Sequence, residues 1–198
     1  MQTIETVAVL GASEAGTACA VLAALAGCAV RLHDQDHASL GAASEAVRRR
    51  VEIGVAQGAF TASERQRILD GVLFTSDLDE ALTGADLAVD AASAPPPAAR
   101  LAEALRATSA IAAAGVTPPA ALAAAVPQPG RVLALRLAAS GGPVPRLEVE
   151  AAPATTGHVL ARARAFAARV NRAARLSSPG PGPQSTGRGT AAGPVESP

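Results

Sequence analysis

Residues 7–16 read VAVLGASEAG, and this stretch sets the fold. Thr6–Leu10 is a short apolar run that stops on a glycine, as a buried parallel strand does. Small residues from about Glu14 to Ala26 then read as a helix, which Gly27 closes. Cys28–His33 reads as a second strand. Strand, loop, helix and strand at this length make one βαβ unit.

A glycine loop between such a strand and helix can cradle a dinucleotide, and each glycine has its own task. The first makes the tight turn, the second lets backbone approach a pyrophosphate, and the third lets the helix pack on the sheet. Gly11 and Gly16 fill the first and third places. Ser13 holds the second, where its Cβ intrudes on the phosphate position and its hydroxyl is able to cap the helix or donate to phosphate. Glu14 suits the helix dipole but competes with a pyrophosphate if its carboxylate turns inward. The second strand ends RLHD, and Asp34 stands 23 residues after Gly11, where an acid binds adenosine ribose hydroxyls and favours NAD over NADP. The candidate cofactor residues are thus Gly11, Ala12, Ser13, Glu14, Ala15, Gly16 and Asp34, with NAD as the expected cofactor, bound weakly or not at all if Ser13 and Glu14 obstruct it.

Beyond Asp34 the pattern continues to alternate. Helices are expected at about 38–58 and 62–69, a strand at 72–75, a helical turn at 77–82 and a strand at 86–91. A helix opening at Pro95–Pro97 and running to about 107, a strand at 110–113 and a helix at 118–126 follow. Strands at 132–137 and 147–150 and a long helix at 155–175 complete the pattern. The segment near 173–176 is too short to assign as a closing strand. Alternation of this kind predicts an α/β, Rossmann-like, doubly wound and mostly parallel sheet with helices on both faces, in a single domain over 1–176. From 177 to 198 the chain is rich in Gly, Pro, Ser and Thr and is expected to be a disordered tail.

Composition narrows the function. The 198 residues are 49% hydrophobic and 17% charged with zero formal net charge, so nucleic acid is not an expected partner. All 17 basic side chains are Arg, which excludes a lysine base or Schiff base. Three phenylalanines leave the core to Ala, Val and Leu. Cys19 and Cys28 supply neither a metal set nor a disulfide framework and read as buried thiols of a cytoplasmic protein. The uncharged stretch 15–30 has no basic segment before it, with Glu5 and Glu14 upstream instead, and falls short of a membrane span.

The order of these pieces resembles the NAD-binding domain of the 3-hydroxyacyl-CoA dehydrogenases, over about residues 4–180. VAVLGASEAGTACAVLAALAGCAVRLHD resembles the family's opening and FTSDLDEALTGADLAVDAA the segment ending in its fourth strand. RVLALRLAASGGPVPRLEVE resembles the segment that carries the catalytic His, and SSPGP the junction into a helical second domain. The resemblance implies hydride transfer at the 3-hydroxyl or 3-keto position of an acyl thioester, with a His base oriented by a Glu.

Carried over residue by residue, the resemblance puts the His at Arg136 and the motif's Asn at Ala139. The catalytic Ser falls on Thr117, the preceding Asn on Gly115, and a Glu after the fourth strand on Ala94. The orienting Glu matches at Glu148. Arginine does not deprotonate in a protein and cannot act as that base. His33 and His37 belong to the adenosine end, and His158 opens the last helix. Arg136 and Glu148 are expected to form an ion pair; the alternative is that Arg136 holds an anionic substrate. Arg48–Arg50, on the side where the family holds CoA phosphates, reads as a solvated helix face.

Two functions stay open on these residues. One is a divergent dehydrogenase with Thr117, Arg136 and Glu148 at its catalytic positions, acting on an acyl-CoA or acyl-carrier substrate and completed by a partner chain that supplies the helical domain. The other is a catalytically inactive Rossmann protein, a sensor or scaffold.

Overall fold

The computed structural model describes residues 3–93, 98–140 and 144–177. β1 (Thr6–Leu10), α1 (Glu14–Leu25) and β2 (Ala29–His33) form the first unit. α2 (His37–Ala56), α3 (Ala62–Asp70), β3 (Val72–Thr75), α4 (Leu78–Leu82), β4 (Leu87–Asp90), α5 (Ala98–Ala104), β5 (Ala110–Ala113) and α6 (Pro119–Ala124) follow. β6 (Val132–Ala138), β7 (Arg146–Ala151) and α7 (Gly157–Ser177) end the described chain. The segment near 173–176 lies inside α7. Pro95–Pro97, Ala94 and the expected tail from 178 onward lie outside the described residues.

The seven strands form one sheet in the order β3-β2-β1-β4-β5-β6-β7. All neighbours are parallel except β6 and β7, which are antiparallel. The chain winds outward from β1 in one direction, then returns to start again at β4 on its other side. Dinucleotides bind at such a reversal, outside the carboxyl ends of the strands.

Alternate residues of each strand feed two cores, because successive strand side chains point to opposite faces. Val7, Val9, Leu32 and Val89 pack with Leu22, Val47, Ile68 and Phe166 from α1, α2, α3 and α7. Ala8, Leu10, Ala88 and Ile111 pack with Leu82, Leu101 and Leu122 from α4, α5 and α6. α1 lies between the sheet and its neighbouring helices and is buried from Gly16 to Leu25, which explains why it is apolar on every side. Cys19 and Cys28 are both buried, and burial pushes the Cys19 thiol up to about 12, so neither is a nucleophile.

The antiparallel edge is closed by a side chain. Asn171 of α7 accepts from the Leu147 N–H at 2.8 Å and donates to the Leu147 carbonyl at 2.9 Å. The amide imitates a further strand on β7 at that residue, which covers an edge that would otherwise template pairing.

Candidate functional site

The strands present their carboxyl ends to one crevice, and the loop after β1 lies at its centre. Gly11 has φ +105°, and a Cβ there would stand 2.4 Å from Ala92 Cα. A Cβ on Gly16 would stand 2.1 Å from the Gly11 carbonyl oxygen. Both places therefore require glycine, as the sequence suggested, and between them they hold the turn tight and the helix close.

Ser13 is the N-cap of α1. Its hydroxyl accepts from the Gly16 N–H at 3.1 Å and donates to the Ala91 carbonyl at 2.7 Å. Its single proton is committed to the end of β4, so of the two roles open to it the cap is the one it takes. Glu14 turns outward: its side chain is 94% exposed, with Arg50 at 3.9 Å. The N–H groups of Glu14 and Ala15 precede the first bonds inside the helix and remain available to an external acceptor. A cradle of this kind fits a pyrophosphate, with Ser13 narrowing it.

Asp34 closes the loop from β2. Its Oδ2 accepts from the Ala12 N–H at 3.0 Å and its Oδ1 from the Asp36 N–H at 3.1 Å. A crevice of about 450 Å³ opens beside it, lined by Gly11, Ser13, His33, Asp34, Ser39 and Ser93 among others. A second, of about 670 Å³, continues past Ala92 and Gly115 to Leu137 and Ser140. The two share Ser13, Ala92 and Ser93, so together they span the reversal between β1 and β4.

The other predicted residues meet on the β5–β6 side. Thr117 and Arg136 line one crevice of about 490 Å³. Gly115, just before Thr117, lets its loop pack on β4: a Cβ there would stand 2.9 Å from the Ala92 carbonyl oxygen.

The expected Arg136–Glu148 ion pair is not what forms. The two residues are directly opposite in the β6–β7 register, yet Arg136 pairs with Glu150 at 3.0 Å and Glu148 with Arg146 at 2.8 Å. Residues 146, 148 and 150 share the face of β7 that Arg136 meets. A long guanidinium leans along the strand and takes the diagonal acid, while Glu148 is claimed from its own strand. Arg136 is 66% exposed at its side chain, so this pair adds little stability.

Histidine does not replace the base. His37 and His158 are exposed at the starts of α2 and α7. His33 is 4% exposed, and burial holds its imidazole below the usual range. The Arg48–Arg50 run divides: Arg48 pairs with Glu45 at 2.7 Å, while Arg49 and Arg50 line a groove of about 560 Å³ between α1 and α2. Among the described residues no group of three His, Cys, Asp or Glu is placed to hold a metal. Nor is any described helix long and apolar enough to cross a membrane.

Sequence reasoning missed Asp90, the last residue of β4. It is 0% exposed, and its Oδ2 has no hydrogen-bond partner. Burial pushes its carboxyl above the usual range, opposed by the Thr117 side chain and the Ala92 N–H. The signal available in the sequence was an acid ending an otherwise apolar strand, LAVD.

Comparison with known proteins gives the site a context. The family model for the 3-hydroxyacyl-CoA dehydrogenase NAD-binding domain matches residues 6–175. Among solved structures, M. tuberculosis FadB2 is 28% identical with a TM-score of 0.74, over 85% of this chain and 61% of that one. The 3-hydroxybutyryl-CoA dehydrogenase of Escherichia coli K12 is 27% identical with a TM-score of 0.77, over 86% of this chain and 37% of that one. A diketoreductase is 25% identical with a TM-score of 0.76, over 86% and 62%. This chain therefore spans about three-fifths or less of the length of these structures. No curated protein matches it.

Proposed function

This chain belongs to the 3-hydroxyacyl-CoA dehydrogenase family through its NAD-binding domain, and we propose that it binds NAD(H) without carrying out the family's histidine-dependent oxidation. The glycine loop, with Gly11 and Gly16 fixed by close backbone approach, would hold the pyrophosphate on the α1 N-terminus. Asp34 would take the adenosine ribose while steadying Ala12. The dinucleotide, when bound, supplies a hydride acceptor or donor. A dehydrogenase also needs a group that takes the hydroxyl proton, and here the observation that carries the reading is the pairing on β6 and β7. Arg136 is bound to Glu150 and Glu148 to Arg146, so neither a base nor a free orienting acid stands at those positions. Such a protein acts as a nucleotide-responsive sensor or scaffold.

A second reading is favoured by the charged face of β6 and β7, where Arg136, Arg146, Glu148 and Glu150 are all partly or largely open to solvent. A partner chain docking there would re-pair these groups and complete a site for an acyl-CoA or acyl-carrier substrate beside Thr117. One assay separates the readings. The chain is incubated with NADH and acetoacetyl-CoA, and the reduced nicotinamide is followed by absorbance. No consumption above background is expected for the chain alone; steady turnover would overturn the proposal.

A further inference from the structure

α2 (His37–Ala56) buries Leu40, Ala43, Val47, Val51 and Gly54 and turns its opposite side to solvent. Three residues on that open side have no explanation inside the chain. Gly41 stands in the helix interior, where glycine lowers stability relative to alanine. A Cβ there would meet nothing within 4 Å, so the fold itself would accept alanine. Gly54 on the buried side differs, because a Cβ on it would stand 2.3 Å from Phe60 Cδ2. Ile53 is a large apolar side chain left 49% exposed. Arg49 is exposed and pairs with no acid among the described residues, although Arg48 takes Glu45 at 2.7 Å and Arg50 approaches Glu14 at 3.9 Å.

The three belong to one pattern. Residues three or four apart are neighbours on a helix surface. Gly41, Ala42, Glu45, Arg49 and Ile53 are all exposed and form one stripe along α2, with the exposed Ala38 and Ala56 at its ends. The stripe is complementary to itself when reversed. About a centre level with Val47, Gly41 falls opposite Ile53, Glu45 opposite Arg49 and Ala38 opposite Ala56. A notch meets a bulky side chain, an acid meets a base, and small meets small. A two-fold axis makes every such contact twice. Arg48 uses only Oε1 of Glu45, and a carboxylate accepts at both oxygens. The chain carries no formal net charge, so two copies approach without long-range repulsion.

We propose that this face of α2 docks a second copy of the chain, with the two α2 helices antiparallel about a two-fold axis level with Val47. Ala38, Gly41 and Ala42 let the helices approach closely, as small residues at a helix contact do. Ile53 of each copy fills the notch over the partner's Gly41 and leaves water there. Arg49 of each copy pairs with the partner's Glu45. Charge also fixes the direction. A parallel pair in register would set Arg49 against Arg49 and Glu45 against Glu45, and like charges facing each other exclude it. One helix pair makes a small contact, of the size of transient associations, so the dimer depends on protein concentration. The glycine loop takes no part, and the inference stands apart from the NAD(H) reading.

Sedimentation velocity of the full chain over a range of protein concentrations tests this. The wild type is expected to pass from monomer to dimer as concentration rises. Arg49→Glu sets acids face to face across the axis and Glu45→Arg sets bases face to face, so each variant alone should weaken the dimer by about tenfold or more. Mixed together, the two variants oppose acid to base at both contacts and should dimerise with each other. Gly41→Leu fills the notch, so it should weaken the dimer while raising the Tm at concentrations where the chain is monomeric. A wild type that stays monomeric at every concentration would overturn the inference and leave the stripe to another partner. A dimer indifferent to both charge reversals, or reversed variants that fail to associate when mixed, would overturn it as well and place the contact elsewhere. If a charge-reversed variant does not fold, an unchanged dimer Kd in Gly41→Leu overturns it.

Discussion

His33 and Asp90 flank Leu10 in one register across β2, β1 and β4, and each leaves a buried polar atom without a partner. Residues in register on parallel strands point to the same face, so the two orphaned groups sit on either side of the strand where the sheet order reverses. Burial acts on them in opposite senses, lowering the imidazole and raising the carboxyl. In both cases burial disfavours the charged form. Buried unpaired groups of this kind gather at functional sites more than in ordinary cores.

Their pH dependences therefore oppose each other. The folded state holds the Asp90 proton more tightly than the unfolded chain, whose value is near 3.8, so its contribution to stability is present at low pH and is lost as pH rises through the folded value. The folded state binds a proton on His33 less readily than the unfolded chain, whose value is near 6.5, so stability is present above that value and falls as pH drops below it. In urea unfolding at several pH values, Asp90→Asn should gain on the wild type as pH rises toward neutral. His33→Gln should gain on it as pH falls. Parallel pH profiles for all three proteins would contradict this.

Ser13 caps α1 and donates to Ala91, and on the proposed reading its Cβ narrows the pyrophosphate cradle. Ser13→Ala removes the cap and the bond to Ala91 and should cost about 1 kcal/mol, read as a lower Tm, without improving NADH binding. Ser13→Gly should cost only a few tenths of a kcal/mol through the cap and should tighten NADH by clearing the Cβ. Equal NADH affinities in Ser13→Gly and the wild type would show that the serine does not narrow the cradle.

Asp34 steadies the loop through Ala12, and in the proposed function it would also take the ribose. Asp34→Ala strands the Ala12 N–H and removes the acid that favours NAD, so NADH binding should weaken by about 1–3 kcal/mol. Preference for NADH over NADPH should disappear with it. Competition titrations with the two nucleotides read both effects, and an unchanged preference would detach Asp34 from cofactor choice.

Asn171 is a structural counterpart far along the sheet. Asn171→Ala leaves both polar groups of Leu147 without their partner and should destabilise the fold by about 1–3 kcal/mol. NADH affinity should not change, because the residue lies on α7 behind the antiparallel edge. A loss of NADH binding at full stability would mean that β7 contributes to the cofactor site.

The first βαβ unit was legible because glycines punctuate it and the helix between them is apolar throughout. β1, β3 and β5 fall at the residues the pattern predicts. The ion pair on β6 was misread for a specific reason. The family resemblance correctly set Arg136 opposite Glu148, but which acid a flexible guanidinium reaches is decided by lean along the strand and by the rival Arg146, neither of which the resemblance carries. Asp90 went unseen because one acid after three apolar residues resembles an ordinary strand end. Only the folded sheet, which sets it between Leu10 and Ala113, shows that its carboxyl is buried.

The central claim is that the loop between β1 and α1 still holds a dinucleotide despite Ser13. Fluorescence titration of the purified chain with NADH tests it most directly. Saturable binding with a Kd below about 100 μM, roughly −5.5 kcal/mol, is the result expected of a loop built on Gly11, Gly16 and Asp34. No saturation up to millimolar NADH would contradict the claim and leave a Rossmann scaffold whose function lies on its surface.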